Sequence, residues 1–214
     1  MGIRLEFCAE NATHIERALT AGAERIELCD NLAVGGTTPS YGVIQYALAL
    51  AHARGARVMT MIRPRGGDFE YNEHELHIME TDLIVARKLG ADGVVFGCLC
   101  NGCLDQQATK RLLSVAHGLD VTFHMAFDAL PSKEDRLRAI DWLAEQGVRR
   151  ILTHGGPPGT LITQNLAELQ SYVRHAAGRI IIMPGGGVTY DTVWDICTQL
   201  GVHEAHGTRI VKLD

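Results

Sequence analysis

The chain has 214 residues, of which 46% are hydrophobic and 21% are charged, and this composition is typical of a folded globular protein. Its 25 acidic and 20 basic residues give a net charge of -5, which disfavours a nucleic acid or an anionic membrane as the partner. No apolar run approaches the ~20 residues of a transmembrane helix, and Glu6, Glu10 and Asn11 interrupt any signal peptide, so we expect a cytoplasmic protein.

Short β-rich runs alternate with longer helical patterns along the whole chain. The predicted strands are Ile3–Phe7, Arg25–Leu28, Arg57–Ile62, Gly93–Phe96, Asp120–His124, Arg149–Thr153, Arg179–Met183 and His203–His206. The predicted helices are Ala12–Ala21, Tyr41–Arg54, Glu73–Leu89, Asp105–His117, Ser132–Gln146, Leu161–Ala176 and Tyr190–Leu200. A glycine follows each helical pattern, as a left-handed helix terminus favours. Such an alternation predicts a parallel sheet with right-handed crossovers.

Capping residues mark the start of several of these helices. Asn11 or Thr13 is the candidate cap of the first helix, and Asn72 precedes the acidic start of the third. Ser132 opens the fifth helix and is followed three residues later by Asp135, close to a capping-box pattern.

The predicted fold class is α/β, with the chain forming a single TIM-barrel domain over residues 1–214. Eight strands favour a closed (β/α)8 barrel over an open doubly wound sheet. The last predicted strand ends at His206, near the end of the sequence, so we expect a short form whose last helix is absent or vestigial. A homodimer partner is then expected to cover the open end.

Alternation of side chains along each strand separates the residues into two faces. One face is apolar and is expected to pack on the helices; it includes Phe7, Ile26, Leu28, Val58, Ile62, Val94, Phe96, Val121, Phe123, Ile180 and Ile182. The other face should point into the barrel and carries Glu6, Cys8, Glu27, Cys29, Met59, Met61, Arg63, Thr122, His124, Glu204 and His206.

Charged groups are unusual inside a barrel, which branched apolar side chains normally fill. Buried ions are costly unless paired, so we expect Arg63 to neutralise one or more of Glu6, Glu27 and Glu204 near the loop-bearing mouth. The cluster is either a structural ion-pair network or a ligand-binding or catalytic centre, and its position near the strand ends favours the second interpretation.

Glycine-rich and arginine-rich loops suggest a small anionic ligand. Arg65 is a candidate anion donor, although Arg65 and Asp68 could instead brace their own loop. Glycines after strands seven and eight are common phosphate-binding positions in such barrels. The candidate anion-binding glycines are Gly185, Gly186, Gly187 and Gly207.

Three cysteines lie close together after the fourth strand. Cys98, Cys100 and Cys103 could bind Cu(I) or Zn(II), since both ions favour thiolate, or could be reduced thiols that bind nothing. All six cysteines are expected to be reduced in a cytoplasmic protein.

Several motifs together resemble the CutC copper homeostasis family. They are ELCDN at Glu27–Asn31, GGTTPS, MIRPRGGDFEY at Met61–Tyr71, DGVVFG at Asp92–Gly97, TFHMAFD at Thr122–Asp128 and MPGGGV at Met183–Val188. The resemblance runs through nearly the whole chain. It implies a (β/α)8 barrel, a cytoplasmic and commonly dimeric protein, and a link to copper tolerance with Cu(I) as the bound ion.

The resemblance implies site residues as well. Cys8 and Cys29 match the Cu(I) ligands proposed for the family, and Met61 is a possible further soft donor. The family pattern also includes a set of candidate catalytic residues, namely Glu6, Glu27, Arg63, His124, Asp128 and Glu204. Met125 departs from the arginine usual at its position, and the cluster of three loop cysteines is not part of the family pattern.

Two functions follow from these observations. The first is a Cu(I)-binding protein that uses Cys8 and Cys29. The second is an enzyme that performs acid–base chemistry on a small anionic, perhaps phosphorylated, substrate, with His124 or a glutamate as the proton carrier and Arg63 as the anion partner.

Overall fold

Residues 2–157 and 159–213 are described by a computed structural model. The strands are β1 (Arg4–Glu10), β2 (Arg25–Cys29), β3 (Arg57–Met61), β4 (Gly93–Phe96), β5 (Leu99–Cys100), β6 (Cys103–Leu104), β7 (Asp120–Phe123), β8 (Arg150–Thr153), β9 (Ile181–Pro184) and β10 (Glu204–Gly207). The helices are α1 (Ile15–Thr20), α2 (Tyr41–His52), α3 (Glu73–Leu89), α4 (Gln106–Val115), α5 (Lys133–Glu145), α6 (Leu166–Ala176) and α7 (Val193–Leu200).

Eight parallel strands form the barrel, in the order β10-β1-β2-β3-β4-β7-β8-β9. Strands β9 and β10 stand at the two ends of this order and lie against each other, which nearly closes the ring. Each helix between barrel strands returns the chain for another parallel pairing, as the alternation of patterns predicted. The (β/α)8 fold class is therefore confirmed.

Capping was predicted correctly for two helices and wrongly for one. Asn72 forms a complete capping box with Glu75 at the start of α3, and the Ser132 side chain accepts from the Asp135 N–H at the start of α5. Helix α1 instead begins after His14, without a side-chain cap. The Asn11 side chain donates to Asp30 Oδ1 (2.9 Å), so it is unavailable to α1.

Beyond β10 the described chain, which reaches residue 213, forms no α-helix. Ile210 and Val211 are buried there and pack instead into the outer core, the apolar layer between the barrel strands and the helices. This agrees with the expected short form of the barrel. No helix in the described ranges is both long enough and apolar enough to cross a membrane.

Two separate apolar clusters confirm the predicted alternation of strand faces. The larger joins the outward residues of the strands to the helices, with Ile26, Val94 and Phe123 fully or almost fully buried. The smaller lies inside the barrel and contains Cys8, Cys29, Met59, Met61 and Val95, with the half-buried Leu32 packed against it. The second cluster places two thiols and two thioethers in one enclosed region.

A short hairpin, β5–β6, stands where the sequence indicated only a loop. Its two-residue turn, Asn101-Gly102, has positive φ angles of 50° and 72°. These angles are those of a type I′ turn, which matches the twist of a tight hairpin.

Candidate functional site

A buried ion network lies in the lower half of the barrel, nearest the N-terminal ends of the strands. Arg25 Nε contacts Glu6 Oε2, and Arg25 Nη2 donates to Glu204 Oε2 at 2.7 Å. Arg150 Nε reaches the same Glu204 oxygen at 3.1 Å. The charged groups of this network come from β1, β2, β8 and β10. Charged side chains therefore do converge inside the ring, as predicted.

Strand register explains why Arg25 is the partner of these glutamates. Arg25 is opposite Glu6 in the β1–β2 pairing and shares its inward face with Glu27, two residues on. The prediction that Arg63 neutralises the glutamates is wrong. Arg63 follows the end of β3, where the chain has already left the barrel wall.

Arg63 organises the loops at the mouth. Its Nη1 donates to the backbone oxygens of Val34 (2.8 Å) and Gly36 (3.0 Å), and its Nη2 donates to that of Gly67 (2.8 Å). The guanidinium also stacks over the Phe69 ring at 4.9 Å. These contacts tie the loop after β2 to the loop after β3.

The predicted candidate Glu204 belongs to the lower network and lies away from the mouth. It is the first residue of β10, and it borders surface hollows at the N-terminal end of the barrel together with Arg4 and His203.

Glu6 is fully buried. Burial alone would raise the pKa of Glu6, but Arg25 and His206 outweigh burial and lower it to about 2.

A sulfur and carboxylate cluster lies above this network. Cys8 Sγ is 3.2 Å and Cys29 Sγ 3.5 Å from the same oxygen, Glu27 Oε2. Ligand atoms of all three residues lie within 4.8 Å of one another, close enough to share one metal ion. The pairing of β1 with β2 produces this arrangement, because Cys8 is opposite Glu27 in the ladder.

His206 joins the cluster from β10. Its Nδ1 is 2.8 Å from Glu6 Oε1 and its Nε2 is 3.6 Å from Glu27 Oε2. Burial opposes a charge on this imidazole, but Glu27, Cys8 and Glu6 raise the pKa of His206 well above its ordinary value. The three side chains of Glu6, Glu27 and His206 also form a second group with metal-ligand spacing.

The two thiols of the cluster differ in acidity. The hydrogen bond from Cys29 and the nearby His206 hold the pKa of Cys8 well below its ordinary value. The same bond to Cys8, together with burial, raises the pKa of Cys29. Burial raises the pKa of Glu27. Cys8 is therefore the more acidic of the two thiols, and metal binding would displace the proton of a ligating thiol.

A cavity of about 250 Å³ opens above the cluster at the C-terminal end of the strands. Its lining includes Cys8, Glu27, Met61, His124 and His206. Within the described residues, Glu27 Oε1 and His124 Nε2 are buried and have no hydrogen-bond partner. Both atoms belong to residues of the cavity wall, so they are suited to contact a bound ligand.

His124 is a neutral base in this wall. Burial, followed by the charge of Arg63, lowers the pKa of His124 to about 3. Its Nδ1 accepts from the Ala126 N–H at 3.2 Å, and its ring packs on Phe69 with centroids 4.9 Å apart.

Asp128 lies in a neighbouring hollow of about 440 Å³ that shares Phe69 and Gly186 with the first cavity. Its carboxylate accepts from Thr153 Oγ1 (2.5 Å) and from the His154 N–H (2.9 Å). Burial raises its pKa, although these bonds oppose the shift. Asp128 therefore joins the loops after β7 and β8.

The predicted anion-binding residues are divided between two roles. Gly186, Gly187 and Gly207 border the cavity, whereas the Gly185 N–H donates to Thr153 O at 3.0 Å. Arg65 braces its own loop, which was the alternative that the sequence left open.

The Arg65 guanidinium binds partners in its own loop and in the first turn of α3. It forms ion pairs with Glu75 (2.5 Å) and Asp68 (3.0 Å), and it donates to the backbone oxygen of Glu70 at 2.7 Å. These contacts favour bracing over anion binding.

The three loop cysteines do not gather around one point. Cys98 is buried, and burial raises its pKa, while Cys100 and Cys103 are exposed on the hairpin. A site that uses all three thiols is therefore not supported.

Sequence reasoning missed two residues, Arg25 and Arg150. Both were available from the pattern, since Arg25 precedes Glu27 by two positions and Arg150 precedes the inward Leu152 by two. Arg25 was the first and Arg150 the second residue of a predicted strand, and neither was assigned to a face.

Comparison with known proteins relates the chain to one protein family. The sequence profile of the CutC family matches residues 3–211. An Enterococcus faecalis protein named family protein CutC is 58% identical over 207 residues, which cover 96% of this chain and 99% of the relative. The Homo sapiens copper homeostasis protein cutC homolog is 38% identical over 206 residues, covering 96% of this chain and 72% of the relative.

A solved structure agrees with this relationship. The crystal structure of the Streptococcus agalactiae protein called Copper Homeostasis Protein CutC superposes with a TM-score of 0.94 at 49% sequence identity. The match covers 98% of this chain and 100% of that one.

Proposed function

The chain belongs to the CutC family, and we propose that it binds Cu(I) in the barrel mouth through the sulfur atoms of Cys8 and Cys29. The observation that carries the proposal is the convergence of two thiols on Glu27 Oε2, at 3.2 Å and 3.5 Å. Thiolate donors select soft ions such as Cu(I) over the hard ions that prefer oxygen.

The surroundings of the two thiols support a soft-metal site. Met61 belongs to the same interior cluster and lines the same cavity as Cys8, which makes a thioether available as a further soft donor. Glu27 contributes a carboxyl oxygen within the same ligand-distance group. Copper is the cargo of such a site. The ion pair of Glu6 with Arg25 below it joins β1 to β2, the strands that carry the two cysteines.

Gly36 forms the roof over the second thiol. An added Cβ at Gly36 would lie 3.1 Å from Cys29 Sγ, and the residue has a φ of 88° that favours glycine. The loop can therefore lie directly on the sulfur and shield it from water.

The proposal includes a reducing compartment such as the cytoplasm, because thiols bind Cu(I) only while they remain reduced. All six cysteines are free in the structure. The homodimer remains a prediction.

Anaerobic Cu(I) titration in competition with a chromophoric Cu(I) chelator tests the site. The Cys8→Ser/Cys29→Ser double variant is expected to bind one fewer tight Cu(I) per chain than the wild type. Cys197→Ser is the matched control, because it removes a buried thiol on α7 that belongs to the outer core. An unchanged number of ions and an unchanged affinity in the double variant would refute the proposal.

A second candidate function rests on the two unpartnered buried atoms of the cavity wall, Glu27 Oε1 and His124 Nε2. A carboxyl group with a raised pKa and a neutral imidazole in the wall of one cavity are suited to acid–base chemistry on a small anionic substrate. Incubation with metabolite mixtures tests this function. We expect a component consumed by the wild type to be spared by folded Glu27→Gln, and consumption by neither protein would count against an enzyme.

A further inference from the structure

Two exposed thiols face each other on the hairpin β5–β6, at the mouth of the barrel. Leu99 pairs with Leu104 and Cys100 pairs with Cys103 across the two short strands. Leu99 is buried and Leu104 is half-buried against the outer core. Since side chains alternate along a strand, the two cysteines lie together on the opposite, solvent-facing side.

The ladder shows which kind of pair the cysteines form. Asp105 N–H donates to Cys98 O at 3.0 Å, so the next pair along, Leu99 with Leu104, is non-hydrogen-bonded. Alternation then makes Cys100 and Cys103 a hydrogen-bonded pair. Cβ atoms in such a pair are about 5.5 Å apart, whereas a disulfide requires roughly 3.5–4.5 Å. The register therefore favours two separate thiols over a disulfide.

The turn holds the two thiols in a defined arrangement. Its tip is tied to the loop after β3, because the Gly102 N–H donates to Glu70 Oε1 at 3.2 Å. Asn101 Nδ2 donates to Cys100 Sγ at 3.5 Å, which fixes the position of this sulfur. The Leu99 N–H donates to Phe69 O at 2.9 Å, and Phe69 lines the cavity. The hairpin is thus anchored beside the cavity rim.

We propose that Cys100 and Cys103 form a second metal site, a solvent-facing pair of thiolates that binds one soft monovalent ion such as Cu(I). A bridging ion needs a longer sulfur–sulfur separation than a disulfide does, since each metal–thiolate bond is about 2.3 Å long in zinc sites and comparable for Cu(I). Structural Zn(II) almost always takes four ligands, and the hairpin supplies two thiols.

The second site is independent of the inner one. Cys98, the third cysteine of the loop, is buried beneath the hairpin and belongs to the outer core, so it is excluded as a ligand. The hairpin pair shares no ligand with Cys8 and Cys29, and either site can exist without the other.

Anaerobic titration with Cu(I) against a chromophoric Cu(I) chelator, in the presence of a thiol-free reductant, tests the second site. The proteins are the wild type, Cys8→Ser/Cys29→Ser, Cys100→Ser/Cys103→Ser and the quadruple variant. We expect Cys100→Ser/Cys103→Ser to lose one tight ion per chain relative to the wild type, and the quadruple variant to bind none. Both changes are on an exposed hairpin, and circular dichroism verifies the fold.

X-ray absorption of the ion retained by Cys8→Ser/Cys29→Ser is expected to show two sulfur neighbours. Adding Cys98→Ala to that variant is the matched control and should leave the retained ion in place. The proposal is overturned if Cys8→Ser/Cys29→Ser retains no ion, or if the ion survives in the quadruple variant. Failure of the inner site gives a different result. The wild type and Cys8→Ser/Cys29→Ser would then both bind one ion, and Cys100→Ser/Cys103→Ser would bind none.

Discussion

Glu6 and Arg25 are joined twice, once through the β1–β2 ladder, where they are register partners, and once through a buried ion pair inside the barrel. The side chains are 0% and 1% exposed, so water screens neither charge. Two charges removed from water in this way are stable only as a pair. This ion pair lies directly below the cluster that contains the thiols of Cys8 and Cys29.

Removal of the arginine should destabilise the protein strongly. Arg25→Met leaves Glu6 and Glu204 with less compensation, and loss of one partner of a buried pair costs about 3–5 kcal/mol. The matched control is Arg4→Ala, because Arg4 contacts the same Glu204 at 3.4 Å but its side chain is 41% exposed. That change should cost about 0–1 kcal/mol. Urea unfolding measures both, and equal losses would contradict the buried-network account.

The free energy of unfolding should depend on pH through His124. Its folded pKa of about 3 lies below the ordinary value of 6.5, so below 6.5 the unfolded chain takes up the proton first. The stability contributed by neutral His124 is fully present above pH 6.5. It is lost as pH falls toward 3, by about 1.4 kcal/mol for each pH unit.

Denaturant unfolding between pH 6.5 and pH 4.5 measures this dependence. His124→Phe retains a ring against Phe69 and cannot titrate, so its stability should fall less steeply than that of the wild type. Parallel slopes for the two proteins would show that His124 is not the group responsible.

A methyl group at Gly36 should weaken metal binding at the inner site. In Gly36→Ala the new Cβ would lie 3.1 Å from Cys29 Sγ, at a φ of 88°. Gly22→Ala carries similar backbone strain at a φ of 99°, with nothing within 4 Å of its Cβ.

Both glycine substitutions are expected to cost stability, but Gly36→Ala alone should reduce the affinity for Cu(I), by about tenfold or more. Chelator competition measures the affinity and urea unfolding the stability. Equal Cu(I) affinities in the two variants would separate the Gly36 loop from the site.

Substitution of Arg63 should loosen the mouth loops. Arg63→Lys keeps the charge but cannot reproduce three separate donations to the oxygens of Val34, Gly36 and Gly67. Amide hydrogen exchange should become faster in residues 34–37 and 66–68, while exchange in α6, on the far side of the barrel, stays the same. Unchanged exchange in both loops would contradict the assigned role.

Much of the fold was determined by local sequence alone. Asn72 with Glu75 and Ser132 with Asp135 mark helix starts because a cap needs only residues within one turn. Alternation along each strand correctly separated the outward Ile26 and Leu28 from the inward Glu27, since that rule involves neighbours in the chain. The inward location of Cys8 and Cys29 followed in the same way.

Only the tertiary structure decided which charges and thiols meet. Arg25 rather than Arg63 neutralises Glu6, because strand register and the height of each residue along the barrel axis determine which side chains share a layer. The separation of Cys98 from Cys100 and Cys103 likewise depends on how the hairpin packs on the outer core. Spacing along a chain specifies local geometry, whereas contacts between distant segments depend on the closure of the whole barrel.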